Sequence, residues 1–546
     1  MMKRDLTSFY EKLDTHLPEL LIGCGIVLRL KYWFENRALW LDEAYLGIHT
    51  MVQTWKEILL NRQMALDMPV PPMGFMLMEK IFGALSGYQE MALRLFPLIC
   101  GITAMFLFFI LARKILSWRA MLLALALMVF NNFCIDYAVE LKQYSTDLMF
   151  FLGLSLLFVF RTDEDYAIRL KDAPFFAIAG VVAVTFSHPS VFILAAFGLV
   201  QQTTLLFKGK IDEAKIGIAC GFCWAVMFFA WQTISYQRMS HDAELLASVL
   251  TPGYMMNVPL WSWEGLAWYG NKIVNIISRV AGLTPFWMAV LLLAVGAAGL
   301  HRRNPKAFWI LFLPLLFALI AAGFKKYLLG DRFSLFMIPS ILITVAYGLD
   351  WLCERLGKKG AILFALISVV FLAGALPQTW GYFVHGRPKE ESREHVQYLQ
   401  SNFQTADVLI VNESGYFALF FYLARDGAFQ MAKFFSITDG VDPASAGLPK
   451  RILMAVAQPE YDRRGFFHGF KDYGAAQEVT LETTLDFEHA QRIWFFGSHM
   501  KGSEDFILEF FQRKGQVPAV FLQSPGSVLM RFDLKENGAR STAWKG

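Results

Sequence analysis

The sequence predicts a polytopic α-helical membrane protein of about eleven spans with a C-terminal α/β domain. Three observations predict it. Hydrophobic residues make up 56% of the 546 residues and charged residues only 18%, too few charges to coat a soluble chain of this length. Up to about Gln378, apolar blocks alternate with short polar joints. From Arg387 onward the composition is that of an ordinary globular domain.

Roughly 17 to 22 apolar residues suffice to cross a ~30 Å hydrocarbon layer as a helix. Such stretches fall at 17–34, 93–112, 120–136, 146–160, 174–187, 190–206, 214–234, 284–300, 307–323, 333–350 and 361–378. Lys3, Arg4 and Lys12 precede the first, and no small-residue cleavage site follows it, so it reads as an uncleaved span. The fifth and sixth are short and meet at His188-Pro189, a pattern that suits either two spans or a broken, re-entrant element.

Every second joint is basic: Lys3/Arg4/Lys12, Arg113/Lys114/Arg119, Arg161/Arg169/Lys171, Lys208/Lys210/Lys215, Arg302/Arg303/Lys306 and Arg355/Lys358/Lys359. Positive charge collects in cytoplasmic loops, so this alternation predicts a multi-pass protein of the plasma (inner) membrane with its N-terminus cytoplasmic and its C-terminal domain extracytoplasmic. The apolar stretch 71–85 is not counted, because a crossing there would invert every later loop. It reads as a helix lying on the outer interface with Glu79 and Lys80 on its polar side. The membrane domain is then 1–380, with a long external loop over 35–92, and the α/β domain is 381–546.

Within that domain, strand-like stretches fall at 407–412, 451–457, 492–497 and 519–534, the last a hairpin turning at Pro525-Gly526. Helical patterns fall at 415–425 and 503–514. Gly415 after the first strand starts no nucleotide-binding fingerprint. The domain is assigned to stability or acceptor recognition. The external loop 235–283 is rich in aromatic residues, including Trp261, Trp263 and Trp268, with His241, Asp242 and Glu264 as polar points; it reads as an interfacial cover helix or a flap.

A net charge of +4 with no long basic run argues against nucleic acid as a partner. The six cysteines all lie in or beside apolar blocks and imply no disulfide framework. Cys220 and Cys223 have the spacing of a metal or redox pair but sit mid-span without further ligands, which favours packing.

Ionisable residues at membrane boundaries are costly unless paired or solvated, so their clusters mark candidate sites. Asp42 and Glu43 stand just beyond the first span in Leu39-Trp40-Leu41-Asp42-Glu43-Ala44-Tyr45; the plain alternative is a helix N-terminus, where acids suit the dipole. The third span ends in a segment carrying Asp136, Glu140, Lys142, Tyr144 and Asp147, which also suits salt bridges at helix ends. Lys325, Lys326 and Arg332 form a cationic joint on the outer side, against the orientation rule, as an anionic ligand such as a lipid phosphate would favour. Arg29 and Arg94 lie near outer span ends, where a snorkelling side chain is the common case.

The ordered succession WLDEAY (40–45), VPPMGFMLMEKIFG (70–83), ALRLFPLICG (92–101), YAVELKQYSTD (137–147), FSHPS (186–190) and DRFSLFMIP (331–339) resembles bacterial relatives of the protein O-mannosyltransferases and lipid A aminoarabinose transferases, of the type C glycosyltransferase superfamily. The resemblance runs through most of 17–350. It implies an inverting transfer of a single hexose or pentose from a polyprenyl-phosphate-linked donor to a lipid, surface glycan or protein acceptor at the outer face of the membrane.

By that resemblance Asp42 is the general base, with Glu43 as the competing base or an orienting group. Arg332, Lys142, Lys325, Lys326 and Arg94 are the candidates for the donor phosphate, and Glu140, Tyr144 and His188 for the sugar or acceptor pocket. The sequence departs from the aminoarabinose transferases at Val70-Pro71-Pro72-Met73, where those enzymes place a Lys-Pro pair, and it lacks the His before Pro-Pro of the eukaryotic O-mannosyltransferases. Donor sugar and acceptor therefore do not transfer from either group. No cofactor and no metal are expected, although Asp42, Glu43 and Asp136 have the donor chemistry for a divalent ion. The competing reading is a transporter or flippase for a polyprenyl-linked anionic lipid, which calls for acids at mid-membrane and an internal repeat.

Overall fold

The computed structural model describes residues 2–60, 71–239, 254, 256, 258, 259, 261–404, 407–412, 414–426, 452–454, 491–499 and 503–534. His241 and Asp242 of the aromatic loop lie outside them. Among the described residues, eight helices are long and apolar enough to cross a membrane: Leu95–Ile115, Tyr144–Arg161, Ser190–Phe207, Ile211–Thr233, Phe286–Arg303, Pro305–Gly323, Asp331–Glu354 and Lys359–His385. The other three expected stretches are also helical. The first is the C-terminal half of Met2–Phe34, and the fifth is Ala173–Phe186, of 14 residues. The third is broken, because the Asn131 side chain accepts from Cys134 N at 2.9 Å and starts a new short helix, Asn132–Asp136, after Trp118–Val129.

Helix starts follow local chemistry. Asn304 caps Pro305–Gly323 through Ala307 N (3.0 Å), with Pro305 in the first turn, and Ser262 caps Trp263–Val274 through Gly265 N (3.0 Å). Small residues set the closest helix contact. A Cβ on Gly296 would lie 2.0 Å from the carbonyl oxygen of Thr344, and one on Gly348 2.1 Å from that of Leu292, so Phe286–Arg303 and Ile338–Glu354 meet backbone to backbone. Elsewhere aromatic rings fill the helix layers, as where Phe158 stacks on Phe197 at 3.8 Å. Cys220 is buried and Cys223 exposed, on one helix.

The stretch 71–85 forms the helix Met73–Ser86, but its polar residues do not face outward as expected. Glu79 is fully buried and Lys80 nearly so, with Lys80 Nζ donating to Met51 O at 3.1 Å. The helix is sandwiched between Leu41–Val52 and the Phe186 ring, which leaves it no open polar side.

After His385 the chain builds a five-stranded sheet in the order β2-β1-β3-β5-β4, from β1 (Asp407–Val411), β2 (Ile452–Met454), β3 (Arg492–Ser498), β4 (Val520–Ser524) and β5 (Ser527–Asp533). β1 pairs in parallel with β2 and β3, while β3-β5 and the β4-β5 hairpin are antiparallel. The helix Ser503–Arg513 covers one face, where Phe511 stacks on Phe532 at 3.9 Å. The helix Gly415–Arg425 sits between the other face and the membrane part: Phe417 meets Tyr45 at 5.7 Å, and Gly47 leaves room for the Phe421 ring. That apolar contact sets the sheet unit directly against Leu41–Val52.

Candidate active site

Trp40 has extended backbone and Leu41–Val52 begins immediately after it, without a side-chain cap from its own N-cap residue. Asp42 and Glu43 therefore lie in a first helical turn, where the helix dipole favours negative charge. Neighbouring helical residues point about 100° apart, which sends the two acids to different partners.

Glu43 is consumed by structure. Arg94 Nε and Nη2 donate to its two oxygens at 2.8 and 2.6 Å, and Leu141 N donates at 2.7 Å. The same guanidinium also donates to the carbonyls of Arg37 (2.6 Å) and Ala38 (3.2 Å). Both side chains are almost wholly buried. Burial pushes the Glu43 carboxyl up, but Arg94 and the Leu141 amide outweigh it and hold the group ionised.

Asp42 keeps a more open setting. Its Oδ2 takes Arg332 Nη1 at 2.5 Å and has Lys142 Nζ 3.7 Å away. Burial alone would raise its carboxyl, yet Lys142, Arg332 and, through its field, Lys389 bring it down to about 2. Lys142 is itself pulled below the usual ammonium range by burial, against the pull of Asp42. The Arg332 guanidinium lies 5.8 Å from the Trp40 ring, 5.9 Å from Tyr144 and 5.4 Å from Phe333, and Tyr144 meets Tyr137 and Phe333 edge-on at 5.0 and 5.6 Å. The result is a cluster of cations around the Asp42 carboxylate, packed among the rings of Trp40, Tyr137, Tyr144 and Phe333.

The segment 387–393, which leads from the last span into the sheet unit, closes one side. Arg387 pairs with Asp136, Lys389 with Glu140, and Arg393 with Glu90 at 2.7 Å, while Arg425 reaches Glu90 at 3.0 Å. Glu390 accepts from Leu41 N at 2.8 Å, Glu391 from Ala38 N at 3.2 Å, and the Tyr422 hydroxyl from Leu39 N at 2.9 Å. Sequence reasoning leaves this segment outside the site. The available signal is the dense run Arg387-Pro388-Lys389-Glu390-Glu391-Ser392-Arg393 directly after an apolar span.

Asp42, Glu140, Lys142, Tyr144 and Arg332 thus come together, with Arg94 and Glu43 tied beside them. Lys325 and Lys326 are exposed at the turn after Pro305–Gly323, and His188 is exposed at the joint before Ser190–Phe207. Asp331, next to Arg332, is held by Asn275 (3.1 Å) and Arg279 (3.3 Å). Arg29 donates to Gly25 O of its own helix at 3.0 Å and is fully buried rather than snorkelling. Asp42, Glu43 and Asp136 each face a different cation, so the arrangement shown is one of ion pairs.

The fold is that of a multi-span helical membrane protein whose last span leads into an α/β unit seated over the helix ends. A known crystal structure shares it. ArnT from Cupriavidus metallidurans in the apo state aligns over 94% of this chain and 97% of its own, with a TM-score of 0.54 and 12% identity; the same protein bound to undecaprenyl phosphate aligns with a TM-score of 0.53 and the same identity and coverage. The archaeal oligosaccharyltransferase AglB from Archaeoglobus fulgidus superposes at a TM-score of 0.48, with 10% identity over 89% of this chain and 70% of that one. No protein-family model matches the sequence, and no curated protein matches it significantly. The expected architecture, a multi-span helical part leading into an α/β unit, is therefore met at the level of fold.

Proposed function

We propose that this chain is an inverting glycosyltransferase that moves one sugar from a polyprenyl-phosphate-linked donor to an acceptor hydroxyl at the outer face of the membrane. One observation carries the reading: Asp42 stands among Arg332 and Lys142 beside the Trp40, Tyr144 and Phe333 rings, while its neighbour Glu43 is saturated by Arg94 and Leu141. A carboxylate beside fixed cations is what base-assisted transfer with an anionic leaving group needs. The likeness in fold to ArnT, crystallised with undecaprenyl phosphate, supports the choice of carrier. The clustered acids and cations sit at helix ends, in keeping with chemistry at one interface rather than transport through the bilayer. The alternating basic joints support an extracytoplasmic site, with residues 1–380 as the membrane domain and 381–546 as the domain outside.

In this reaction the acceptor oxygen attacks the anomeric carbon as Asp42 takes its proton. The bond from that carbon to the phosphate oxygen breaks, and the electron pair leaves with polyprenyl phosphate. A bound donor phosphate competes with Asp42 for Arg332 and Lys142. As they turn toward it, the Asp42 carboxyl rises from about 2 toward the ordinary range and becomes a better base when substrate is present. The test is transfer from radiolabelled polyprenyl-phosphate hexose to an envelope extract by purified protein. Turnover that disappears in folded Asp42→Asn supports the reading; equal turnover in that variant moves the base elsewhere.

A further inference from the structure

Lys389 belongs to the sheet unit's leading segment, yet its ammonium lies 4.3 Å from the centroid of the Trp40 ring and pairs with Glu140. Arg332 approaches the same indole at 5.8 Å, so the two cations share one aromatic wall beside Asp42. The Lys389 side chain is 25% exposed, against 20% for Arg332 and 12% for Lys142, while Glu140 beneath it is fully buried. The cation, not its acid partner, is partly exposed.

Charge counting gives the site a direction. Glu43 with Arg94 and Asp136 with Arg387 are closed pairs. Among the side chains paired directly with Asp42 or Glu140, three cations, Arg332, Lys142 and Lys389, stand against those two carboxylates. That leaves one positive charge in excess, which suits a phosphodiester. As the glycosidic bond breaks, the phosphate gains a second negative charge and the proton transferred to Asp42 cancels one carboxylate, so the pocket and its ligand stay matched through the reaction.

We propose that Lys389 is a third ligand of the donor phosphate, supplied by the soluble unit, so that the membrane part alone does not hold a complete phosphate site. The proposal rests on the glycosyltransferase reading above. Glu140 keeps the ammonium over Trp40 until the phosphate arrives, and the lysine then shares its charge between the two.

The experiment measures binding of undecaprenyl phosphate, and of uncharged undecaprenol as a control, to the purified full chain in detergent, with thermal melting as a check on folding. Lys389→Gln is expected to weaken undecaprenyl phosphate binding at least about tenfold and to leave undecaprenol unchanged, with Lys389→Arg close to the parent. Glu140→Gln frees the lysine and is expected to bind the phosphate as tightly as the parent or more so. Unchanged affinity in Lys389→Gln overturns the proposal, as does an equal loss in Lys389→Gln and Glu140→Gln, which would mark a purely structural pair. If Lys389→Gln does not fold, the double variant with Glu140→Gln removes both members of the pair: weakened phosphate binding there supports the proposal, and parental affinity overturns it. A parent protein that binds undecaprenol as well as undecaprenyl phosphate would instead sink the choice of donor carrier itself.

Discussion

The Glu390 carboxylate accepts a hydrogen bond from Leu41 N at 2.8 Å, so the α/β unit caps the helix that carries Asp42. Ser498 Oγ donates to the same oxygen at 3.2 Å, and His499 Nδ1 lies 2.6 Å from the other. Glu390 is thereby fixed by β3 and its end before it reaches the helix that carries Asp42. Glu390→Ala is expected to cost about 1 kcal/mol of stability through the lost cap. It should also lower kcat for sugar transfer, because Asp42 loses its placement, and raise KM for donor, because the segment that carries Lys389 loses its anchor. Glu390→Gln retains an acceptor oxygen and should recover most of kcat. Steady-state kinetics on the two variants checks this.

Asp42 and Glu43 are adjacent in sequence and opposite in expected behaviour. Asp42→Asn should fold and lose turnover. Glu43→Gln leaves the buried Arg94 without its counter-charge, at a cost of roughly 3 kcal/mol or more, and should show as a lowered melting temperature and poor yield before any kinetic effect is read. A Glu43→Gln protein that melts like the parent would argue against the clamp.

Much of this arrangement is legible in the sequence because it rests on short-range rules. Apolar block length locates the spans, alternation and turn residues locate the strands and the hairpin at Pro525-Gly526, and boundary charges locate Asp42, Glu140, Lys142 and Arg332. The division of labour between Asp42 and Glu43 is not legible, since it depends on Arg94 from another helix and Leu141 from a third segment. Lys389 escapes sequence reasoning for a similar reason: its partner Glu140 lies 249 residues earlier. Glu79 reads as lying on a polar side because amphipathic spacing shows which residues share a face, not what later covers that face.

The Gly296/Gly348 contact predicts a stability effect away from the chemistry. A methyl group at either position meets backbone carbonyl oxygen rather than a movable side chain, so the two helices must part. Gly296→Ala or Gly348→Ala should cost about 2 kcal/mol, read as a fall in melting temperature in detergent. Gly198, which has open space around its Cβ position, is the matched control and should tolerate Ala.

Asp42 gives the site a defined pH response. Its carboxyl stands at about 2 in the folded protein, below the ~3.9 of an unfolded chain, because Lys142, Arg332 and Lys389 outweigh the effect of burial. A depressed carboxyl contributes stability that is fully present above about pH 4 and is lost as pH falls through about 2. The contribution is roughly 2 kcal/mol. The difference in melting temperature between the parent and Asp42→Asn should therefore be constant from neutral pH down to about 4 and shrink below it. Donor binding draws the cations away and raises the carboxyl toward its unfolded value, so undecaprenyl phosphate should shrink the pH-dependent change and end it at a higher pH. A difference that stays constant through acid, with and without the lipid, would mean that Asp42 is not the group these cations hold.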